Sequence, residues 1–346
     1  MARKEVVVIG SHVQGMFMRV PRFPVADETI LADDFREALD GGKGSHQAIA
    51  CARLGLPTHF IGSLGRDRLG KIGASWMADS GVDLAYLKWN DHVSTGCGFV
   101  MVNPLGIPAI VTAMGANMEL QPADIDRALS LIRQAKVVLI TFEIPVETAL
   151  YASRKAKEAG ATTILTPGPA APVSRHAFDC VDLLIPNLGE AQTLLGRMPT
   201  ESPDLKELVD ELRAHSGAAQ VIVTLGERGS FVFSEGRGKR IPAFKVKVQD
   251  TPGAGDAFTA GVSFGICHGA TLTDAARFGS LTAAHAVSFK ESLPGFGTLM
   301  EIHKFAQANE LEIPEALQEQ ILSAESMPRR PEALSNAGDS PDHLPH

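Results

Sequence analysis

The stretch DTPGAGDAF, residues 250–258, joins a loop of small residues to the start of a predicted helix over 256–269. Gly253, Ala254 and Gly255 leave the first backbone N–H groups of that helix accessible, and the helix dipole favours an anion at this end. Asp256 then stands beside the place where an anion would bind. A carboxylate at this position is either an ordinary helix cap or a base that acts next to a bound anion.

A second glycine-rich stretch, DGGKGSHQAIACARLG at residues 40–55, also precedes a predicted helix. Gly41 and Gly42 permit close approach of the backbone to a ligand, although a tight strand-to-helix turn favours the same residues. Neither stretch fits the Walker A pattern G-x-x-x-x-G-K-[ST] or the dinucleotide pattern G-x-G-x-x-G. Each stretch alone therefore leaves both interpretations open.

Short apolar runs alternate with helical patterns along most of the chain. The predicted strands are residues 5–10, 58–64, 137–141, 162–167, 182–187 and 220–226. The predicted helices are residues 45–55, 66–80, 146–159, 189–196, 204–216 and 256–269, followed by 272–289, 298–310 and 314–324. This order predicts an α/β fold with a doubly wound, mostly parallel sheet and helices on both faces.

Two segments depart from that alternation. Residues 11–40 contain short alternating runs and prolines, and residues 94–114 read as a hairpin around a Pro-Gly turn. We expect both to form a small β-sheet lid beside the main sheet. A further hairpin is predicted over 229–246, and residues 325–346, rich in Pro, Ser and Asp, are predicted to be a disordered tail.

Composition narrows the class of protein. The chain has 346 residues, 45% of them hydrophobic, and a formal net charge of −8. No cluster of Lys and Arg provides the basic footprint that nucleic-acid binding requires. The four scattered cysteines suggest reduced thiols, and the first apolar run is too short for a signal peptide or a membrane span. We expect a cytoplasmic protein with neither nucleic-acid nor membrane partners.

Together the two glycine-rich stretches resemble the paired signatures of the ribokinase (PfkB-type) carbohydrate kinase family. The segments FEIP (142–145), PNLGEA (186–191) and TLGERG (224–229) follow in the family's order, and the likeness covers roughly residues 4–300. The resemblance implies a ribokinase-like kinase domain, placed at 1–324, that carries the lid. It also implies transfer of the γ-phosphoryl group of ATP to a sugar or nucleoside hydroxyl.

The resemblance assigns the catalytic group. Asp256 matches the base that accepts the hydroxyl proton, and the N–H groups of Gly253, Ala254 and Gly255 match the anion hole. In general such donors each contribute a few kcal/mol in the transition state.

The resemblance also assigns the nucleotide end. Asn187 and Glu190 match the family's N-x-x-E, in which the Glu orients Mg²⁺ mostly through water. A carboxylate in the first turn of a helix is the alternative for Glu190, because the dipole favours it there. Thr224, Gly226 and Gly229 match the segment that lies along ATP.

Further matches lie at the substrate end of the cleft. Gly41, Gly42 and Lys43 belong to the first signature, and Glu143 in FEIP matches a carboxylate close to the substrate. A strand-end glutamate that faces solvent is the alternative for Glu143.

Some family members bind a monovalent cation, K⁺, beside the anion hole. Asp250 matches one of its ligands. The later loop, SFKESLPGFG, departs from the usual pattern, with Glu291 where a small residue is common. The sequence therefore leaves potassium activation open.

The chain departs from ribokinases proper at three hydroxyl-binding positions. In GSHVQG, Val13 and Gly15 stand where the family has Asn and Asp, and His46 replaces the Asn of GGKGANQ. A site that loses its hydrogen bonds to a substrate hydroxyl discriminates strongly against that substrate. We therefore expect a sugar or sugar derivative other than plain ribose. His12 and Gln14 are candidate replacements, and Asn103 of the lid is another.

Other functions remain open from the sequence. A nucleoside kinase of the same fold would cover the base with an apolar lid, and a catalytically silent binding protein is a second alternative. A Rossmann dehydrogenase would need a G-x-G-x-x-G that the first strand lacks. The exposed strand edges of the lid predict a homodimer. The apolar lid residues are Met16, Phe17, Met18 and Phe99.

Overall fold

The computed structural model describes residues 5–38, 41–199 and 203–324. The strands are β1 (Glu5–Ile9), β2 (Val13–Arg19), β3 (Asp34–Glu37), β4 (Thr58–Ile61), β5 (Ser63–Gly65), β6 (Val82–Asp83), β7 (Lys88–Asn90), β8 (Gly96–Val102), β9 (Pro108–Ala113), β10 (Ala135–Thr141), β11 (Thr162–Thr166), β12 (Leu183–Leu184), β13 (Gln220–Thr224), β14 (Ser230–Ser234) and β15 (Arg237–Ile241). The predicted tail, 325–346, and residues 39–40 of the predicted lid lie outside the described residues.

The helices alternate with these strands. They are α1 (Lys43–Arg53), α2 (Arg68–Asp79), α3 (Pro122–Arg127), α4 (Leu129–Ile132), α5 (Val146–Glu158), α6 (Leu188–Leu194), α7 (Leu205–Ser216), α8 (Ala254–Cys267), α9 (Leu272–Ala286), α10 (Ser292–Gly295), α11 (Leu299–Ala308) and α12 (Glu315–Ala324). Short 3₁₀ helices occur at Gly115–Glu119 and Gly226–Arg228.

Nine strands form the central sheet, in the order β15-β14-β13-β12-β11-β10-β1-β4-β6. All neighbours from β13 to β6 run parallel, and the hairpin β14–β15 adds two antiparallel strands at one edge. The predicted doubly wound, mostly parallel sheet is confirmed. The predicted strand 58–64 is divided, since β4 joins the central sheet and β5 pairs with β7 in a separate ribbon.

The sheet is covered on both faces, as its apolar strands require. In β1, Val6 and Val8 pack into one hydrophobic core, and the alternate residues Val7 and Ile9 pack into the other. Helices α1, α8 and α9 cover the first face, and α5 and α7 cover the second. Of the helices in the described ranges, none combines the length and the apolar character needed to cross a bilayer.

A separate four-stranded sheet stands beside the central one, in the order β3-β2-β8-β9. Its strands come from the two segments that break the alternation, and β8 and β9 form the predicted hairpin. We call this sheet the lid. Because β2 directly follows β1 in the chain, the lid lies next to the carboxyl ends of the central strands.

Candidate active site

Five neighbouring parallel strands end along one edge of the central sheet, and each is followed by a residue or loop of interest. These are Ser11 after β1, Glu143 after β10, Gly168 after β11, Asn187 after β12 and Thr224 at the end of β13. Ligands of open α/β sheets bind at this edge. Neighbouring strands are about 4.8 Å apart, so the row from β1 to β13 spans roughly 19 Å. These residues form a row along the edge of the sheet, with β1 at one end and β13 at the other.

Asp256 lies in the first turn of α8, and only 7% of its surface is exposed. Its Oδ2 atom is 3.1 Å from Nδ1 of His46, and its Oδ1 atom accepts a hydrogen bond from Nε2 of Gln47 at 3.0 Å. Both partners belong to α1 and not to the backbone of α8. The carboxylate is therefore held by a neighbouring helix, which an ordinary helix cap would not require.

The backbone ahead of Asp256 adopts a conformation that only glycine takes without strain. Gly253 has a φ of +76°, and a Cβ atom there would lie 2.9 Å from Cβ of Ser292. A Cβ on Gly255 would meet nothing within 4 Å, so the turn is open on that side. The Ala254 N–H group already lies 3.3 Å from the Thr251 carbonyl. Of the three predicted anion-hole donors, Ala254 thus has a weak acceptor inside the protein.

Close packing of α8 against α9 fixes the position of Asp256. A Cβ on Gly261 would lie 2.7 Å from Cα of Gly279, and a Cβ on Gly265 would lie 2.6 Å from Cβ of Ala275. The two backbones are therefore nearly in contact, and most of α8 is buried. A helix packed this tightly cannot shift without overlap, which gives its first turn a rigid base.

Glu143 fastens the glycine turn to the end of β1. Its Oε2 atom accepts hydrogen bonds from the Lys43 backbone N–H, at 2.7 Å, and from the Ser11 hydroxyl. A Cβ on Gly42 would lie 2.6 Å from Oγ of Ser11 and 2.9 Å from that Oε2 atom, so glycine is required. Burial raises the pKa of Glu143 above its ordinary value, against the opposing effects of Ser11 and Lys43. The carboxylate thus organises the turn, unlike a strand-end glutamate that only faces solvent.

Lys43 brings a positive charge between three carboxylates. Its Nζ atom is 3.9 Å from Oε1 of Glu190. Burial opposes its charged form, but the negative charges of Asp256, Glu190 and Glu143 prevail and raise its pKa above the ordinary value. Its ammonium therefore remains charged at neutral pH, within the electrostatic influence of both Asp256 and Glu190.

Asn187 and Glu190 form a reciprocal capping box at the start of α6. The Asn187 side chain accepts from the Glu190 N–H, and Oε2 of Glu190 accepts from the Asn187 N–H, each at 2.8 Å. The first-turn interpretation of Glu190 is therefore correct as a description of its structure. Its other oxygen, Oε1, points toward Lys43 and toward Gly168, where an added Cβ would lie 2.5 Å away.

The residues present fit a hydrated magnesium ion. Within the described ranges there is no group of three or more His, Cys, Asp and Glu side chains that would enclose a metal. Mg²⁺ commonly keeps several waters and binds through one or two carboxylates together with substrate phosphates. Glu190, with Oε1 outside its capping box, offers one such carboxylate oxygen.

Thr224, Gly226 and Gly229 lie at the far end of the row. Thr224 pairs with Asn187 in an isolated bridge, and the two glycines bound the short 3₁₀ helix after β13. Gly229 has a φ of +88°, and a Cβ there would lie 2.0 Å from the Ile241 carbonyl oxygen. A Cβ on Gly226, by contrast, would point into open space.

At the lid end, β2 presents little that can form hydrogen bonds. Val13 and Gly15 share one face of the strand because side chains alternate along it. His12 contacts Oγ of Ser45 at 3.1 Å and packs edge-on against Trp76, so its ring lies between α1 and α2. Gln14 is fully buried, and its Nε2 atom donates to the Ala38 carbonyl at 3.0 Å.

Asn103, the other suggested hydroxyl ligand, caps the turn between β8 and β9. Its Oδ1 atom accepts hydrogen bonds from the backbone N–H groups of Leu105 and Ile107, each at 3.0 Å. The carbonyl oxygen of its side chain is therefore used within the hairpin.

Asp250 contacts the loop that departs from the family. One oxygen accepts from the Thr251 N–H at 2.9 Å, and the other lies 3.4 Å from the Glu291 N–H. Glu291 has a φ of +65°, which side chains rarely adopt, and it forms an ion pair with Arg36 of β3. The lid is thereby connected to the segment beside the Gly253 turn.

Three participants were not identified from the sequence: Gln47, Ser11 and Gly168. Gln47 could have been identified from the sequence, because it lies four residues after Lys43 and therefore on the same face of α1. Ser11 needed the knowledge that β1 and β10 are neighbours. Gly168 has no signal in its local sequence.

Comparison with known proteins agrees with this geometry. The chain matches the pfkB family carbohydrate kinases over residues 3–293. It is 31% identical over 307 residues to a ribokinase of Haemophilus influenzae, covering 88% of this chain and 99% of that one. It is 27% identical to a deoxyribokinase of Salmonella typhimurium, with 88% and 100% coverage. The structure of Arabidopsis thaliana ribokinase complexed with ribose and ATP superposes with a TM-score of 0.80 at 32% identity, covering 88% of this chain and 98% of that one.

A central parallel sheet, a lid and a carboxylate at a glycine-rich helix start thus define a sugar kinase. The chain belongs to the pfkB family of carbohydrate kinases, which are phosphotransferases with an alcohol group as acceptor.

Proposed function

We propose that this protein transfers the γ-phosphoryl group of ATP to a hydroxyl of a sugar or sugar derivative other than plain ribose. The observation that carries the proposal is the buried Asp256 carboxylate, held by His46 and Gln47 at the open first turn of α8. A base beside an anion-binding turn is what phosphoryl transfer to a hydroxyl requires.

In the proposed reaction Asp256 accepts the proton of the attacking hydroxyl. The N–H groups of the turn at Gly253, Ala254 and Gly255 stabilise the charge on the transferring group, aided by the dipole of α8. Lys43 adds a positive charge near both Asp256 and Glu190. These residues supply position and charge, which together account for most of the catalysis of phosphoryl transfer.

ATP is assigned to the part of the cleft that ends at β12 and β13. The open space beside Gly226 leaves room for a nucleotide along the turn at Gly226 and Gly229. Two related structures, from Arabidopsis thaliana and Cryptococcus neoformans, are described with ATP and ADP respectively. Asn187 and Glu190 would hold Mg²⁺ through water, and the ion would neutralise phosphate charge when bound.

The acceptor is assigned to the end of the cleft beneath β2. By the family's pattern, the face of Val13 and Gly15 meets the sugar, and neither residue offers a hydrogen bond there. His12 and Gln14 do not take over these positions, since both side chains are buried and each has a hydrogen-bond contact within the protein. A sugar whose hydroxyls faced this strand would lose hydrogen bonds on binding, and this argues against ribose.

The same apolar strand favours a second candidate, a nucleoside. Phe17 continues the face of Val13 and Gly15, and the guanidinium of Arg36 lies 4.6 Å from its ring centroid. An aromatic ring and a planar cation provide stacking surfaces for a base. A nucleoside acceptor would leave the roles of Asp256 and the Gly253 turn unchanged.

A homodimer through the lid is supported by large exposed apolar side chains there, and sedimentation equilibrium tests it. These side chains are Phe35, Phe99, Ile110 and Val111.

Potassium at Asp250 stays a prediction, checked by comparing activity in potassium and sodium salts. The cytoplasmic location, the absence of nucleic-acid and membrane partners and the domain limits 1–324 also stay predictions.

The test is acceptor-dependent ADP release from ATP and Mg²⁺ by the wild-type protein. The panel contains pentoses, hexoses, ketoses, sugar acids, polyols and nucleosides. We expect turnover on at least one acceptor other than ribose. ATP binding without turnover on any acceptor would favour a catalytically silent binding protein.

A further inference from the structure

His46 is held at both nitrogens of its ring. The Gly41 backbone N–H group donates to Nε2 at 2.7 Å, and Nδ1 lies 3.1 Å from Oδ2 of Asp256. A backbone amide can only donate, so Nε2 must be the unprotonated nitrogen of a neutral ring. The proton then resides on Nδ1, which donates to the carboxylate. The ring is 4% exposed and packs edge-on against Phe296, with centroids 5.2 Å apart.

We propose that His46 is a positioning residue for Asp256 and not a ligand of the acceptor. The Gly41 N–H group selects the tautomer of the ring, and the Nδ1–H group fixes the orientation of the carboxylate. This inference rests on the proposed role of Asp256 as the base.

Two hydrogen bonds on opposite oxygens define the plane of the carboxylate. His46 holds Oδ2, and Gln47, the next residue of α1, holds Oδ1. Each oxygen keeps a second lone pair with which to receive the hydroxyl proton. A base that must meet a hydroxyl within hydrogen-bond reach gains rate from such preorganisation, because a displacement of about 1 Å can cost about 10²-fold.

The arrangement also changes the meaning of the sequence difference at this position. In the family pattern this residue is a side chain that binds a sugar hydroxyl. Here both ring nitrogens already have partners within the protein, so a hydrogen bond to the acceptor would require one of them to be broken. The difference at residue 46 therefore acts on the base, whereas the differences at Val13 and Gly15 act on the acceptor.

Two substitutions separate the two hydrogen bonds of the ring. The amide nitrogen of Asn occupies nearly the position of Nδ1, so His46→Asn keeps the donor to Asp256 and loses the acceptor for Gly41. The amide of Gln reaches the position of Nε2, so His46→Gln keeps the contact with Gly41 and loses the donor to Asp256. With the best acceptor found for the wild type, we expect His46→Asn to keep kcat within about 5-fold and His46→Gln to lose about 10- to 100-fold.

The division of the effect between kcat and KM distinguishes positioning from substrate binding. A positioning role predicts that the KM for the acceptor changes little in His46→Gln. A ligand role predicts a raised KM in both variants, and equal values of kcat in the two variants would also overturn the inference. If the wild type phosphorylates no acceptor, the proposed function fails instead.

A measurement on the wild type completes the test without a variant. Nitrogen-15 NMR of the His46 ring in the folded protein, without substrate and at neutral pH, reports which nitrogen carries the proton. We expect a protonated Nδ1 and an unprotonated Nε2. The opposite tautomer would overturn the inference whatever the kinetics of the variants, and it would leave the proposed kinase activity untouched.

Discussion

The two ends of the acceptor site differ in how their polar groups are used. At the α8 end, Asp256 and Glu143 are each fixed by at least two hydrogen bonds, and Gly42 and Gly253 leave no room for a side chain. At the lid end, Val13 and Gly15 of β2, the two residues assigned to the acceptor, provide no side-chain hydrogen bond. The first end is built for a reaction that needs exact placement of charge, and the second is built for shape.

Under the proposed function, this difference lets the protein keep its family's chemistry while the acceptor differs from ribose. A change at the α8 end disturbs several contacts at once, since His46, Gln47 and Asp256 form one network across two helices. A change at Val13 or Gly15 alters one side chain on the face of β2 that the proposal assigns to the acceptor. The comparison therefore predicts large effects on kcat at one end and effects on substrate choice at the other.

The largest effect is expected for Asp256→Asn, because an amide cannot accept the hydroxyl proton. We expect acceptor-dependent kcat to fall about 10³-fold with nearly unchanged ATP affinity. Asp274→Asn is the matched control, since Asp274 is also the third residue of a long helix, and its carboxylate accepts a hydrogen bond from the Thr271 hydroxyl at the start of α9. Equal activity of the two variants would show that Asp256 is an ordinary first-turn carboxylate and not the base.

The next prediction compares two substitutions in the turn ahead of Asp256. One disturbs the backbone conformation of the turn, and the other only fills the space beside it. Gly253→Ala forces a side chain into the +76° region and toward Ser292, so we expect about 1–3 kcal/mol of destabilisation together with loss of activity. Gly255→Ala meets no protein atom, so its free energy of unfolding should be unchanged or slightly higher. Its Cβ would nevertheless occupy the open side of the turn, and kcat should fall. Denaturant unfolding and steady-state kinetics on both variants check this, and full activity of Gly255→Ala would argue against an anion at the turn.

A smaller effect is expected at the lid end. The double variant Val13→Asn with Gly15→Asp restores the hydroxyl-binding groups of the family's pattern, and we expect kcat/KM for ribose to rise about 10-fold or more. The control places Asn at the partly buried Met18, on the other face of β2, and should leave ribose activity unchanged. No gain with the double variant, measured with ribose as sole acceptor, would show that the acceptor is selected elsewhere.

The smallest expected effect is a change of the free energy of unfolding with pH, due to His285 of α9. Burial lowers the pKa of His285 below its ordinary value, against a smaller opposing effect of its hydrogen bond to the Gly295 carbonyl. The unfolded chain therefore binds a proton more readily than the folded protein. The stability due to the neutral ring is present above the ordinary pKa of about 6.5 and is lost as pH falls below it.

Unfolding free energies measured from pH 7.5 to pH 5 check this expectation. His285→Gln should flatten the decrease toward low pH, whereas the same change at the exposed His92 should leave it as in the wild type. Parallel curves for the wild type and His285→Gln would contradict the assignment.

The sequence predicted the layered fold because its strands are apolar and its helices amphipathic, which are local properties. It did not predict helices α3 and α4, which are short, and it extended β12 to six residues where only Leu183 and Leu184 pair. The division of 58–64 into β4 and β5 depends on partners distant in the chain. Local pattern therefore identified most elements but not the shortest ones.

The sequence singled out candidate site residues, whose roles stay predictions, but not the contacts between them. Motif matches identified Asp256, Glu143 and Glu190, but not the link from Asp256 to His46, which joins residues 210 positions apart. The directions of His12 and Gln14 depend on the exact path of β2 against α1, and a shift of one residue in a strand reverses every side chain. Long-range contacts of this kind carry no signal in a single sequence.

One competition experiment tests the proposed acceptor most directly. Wild-type protein is incubated with ATP, Mg²⁺ and an equimolar mixture of ribose and the other acceptors, and the phosphorylated products are separated and identified by mass spectrometry. The proposed function predicts that a phosphomonoester of an acceptor other than ribose predominates and matches the ADP formed. Predominance of ribose phosphate, or ADP formed without any phosphorylated acceptor, would contradict it.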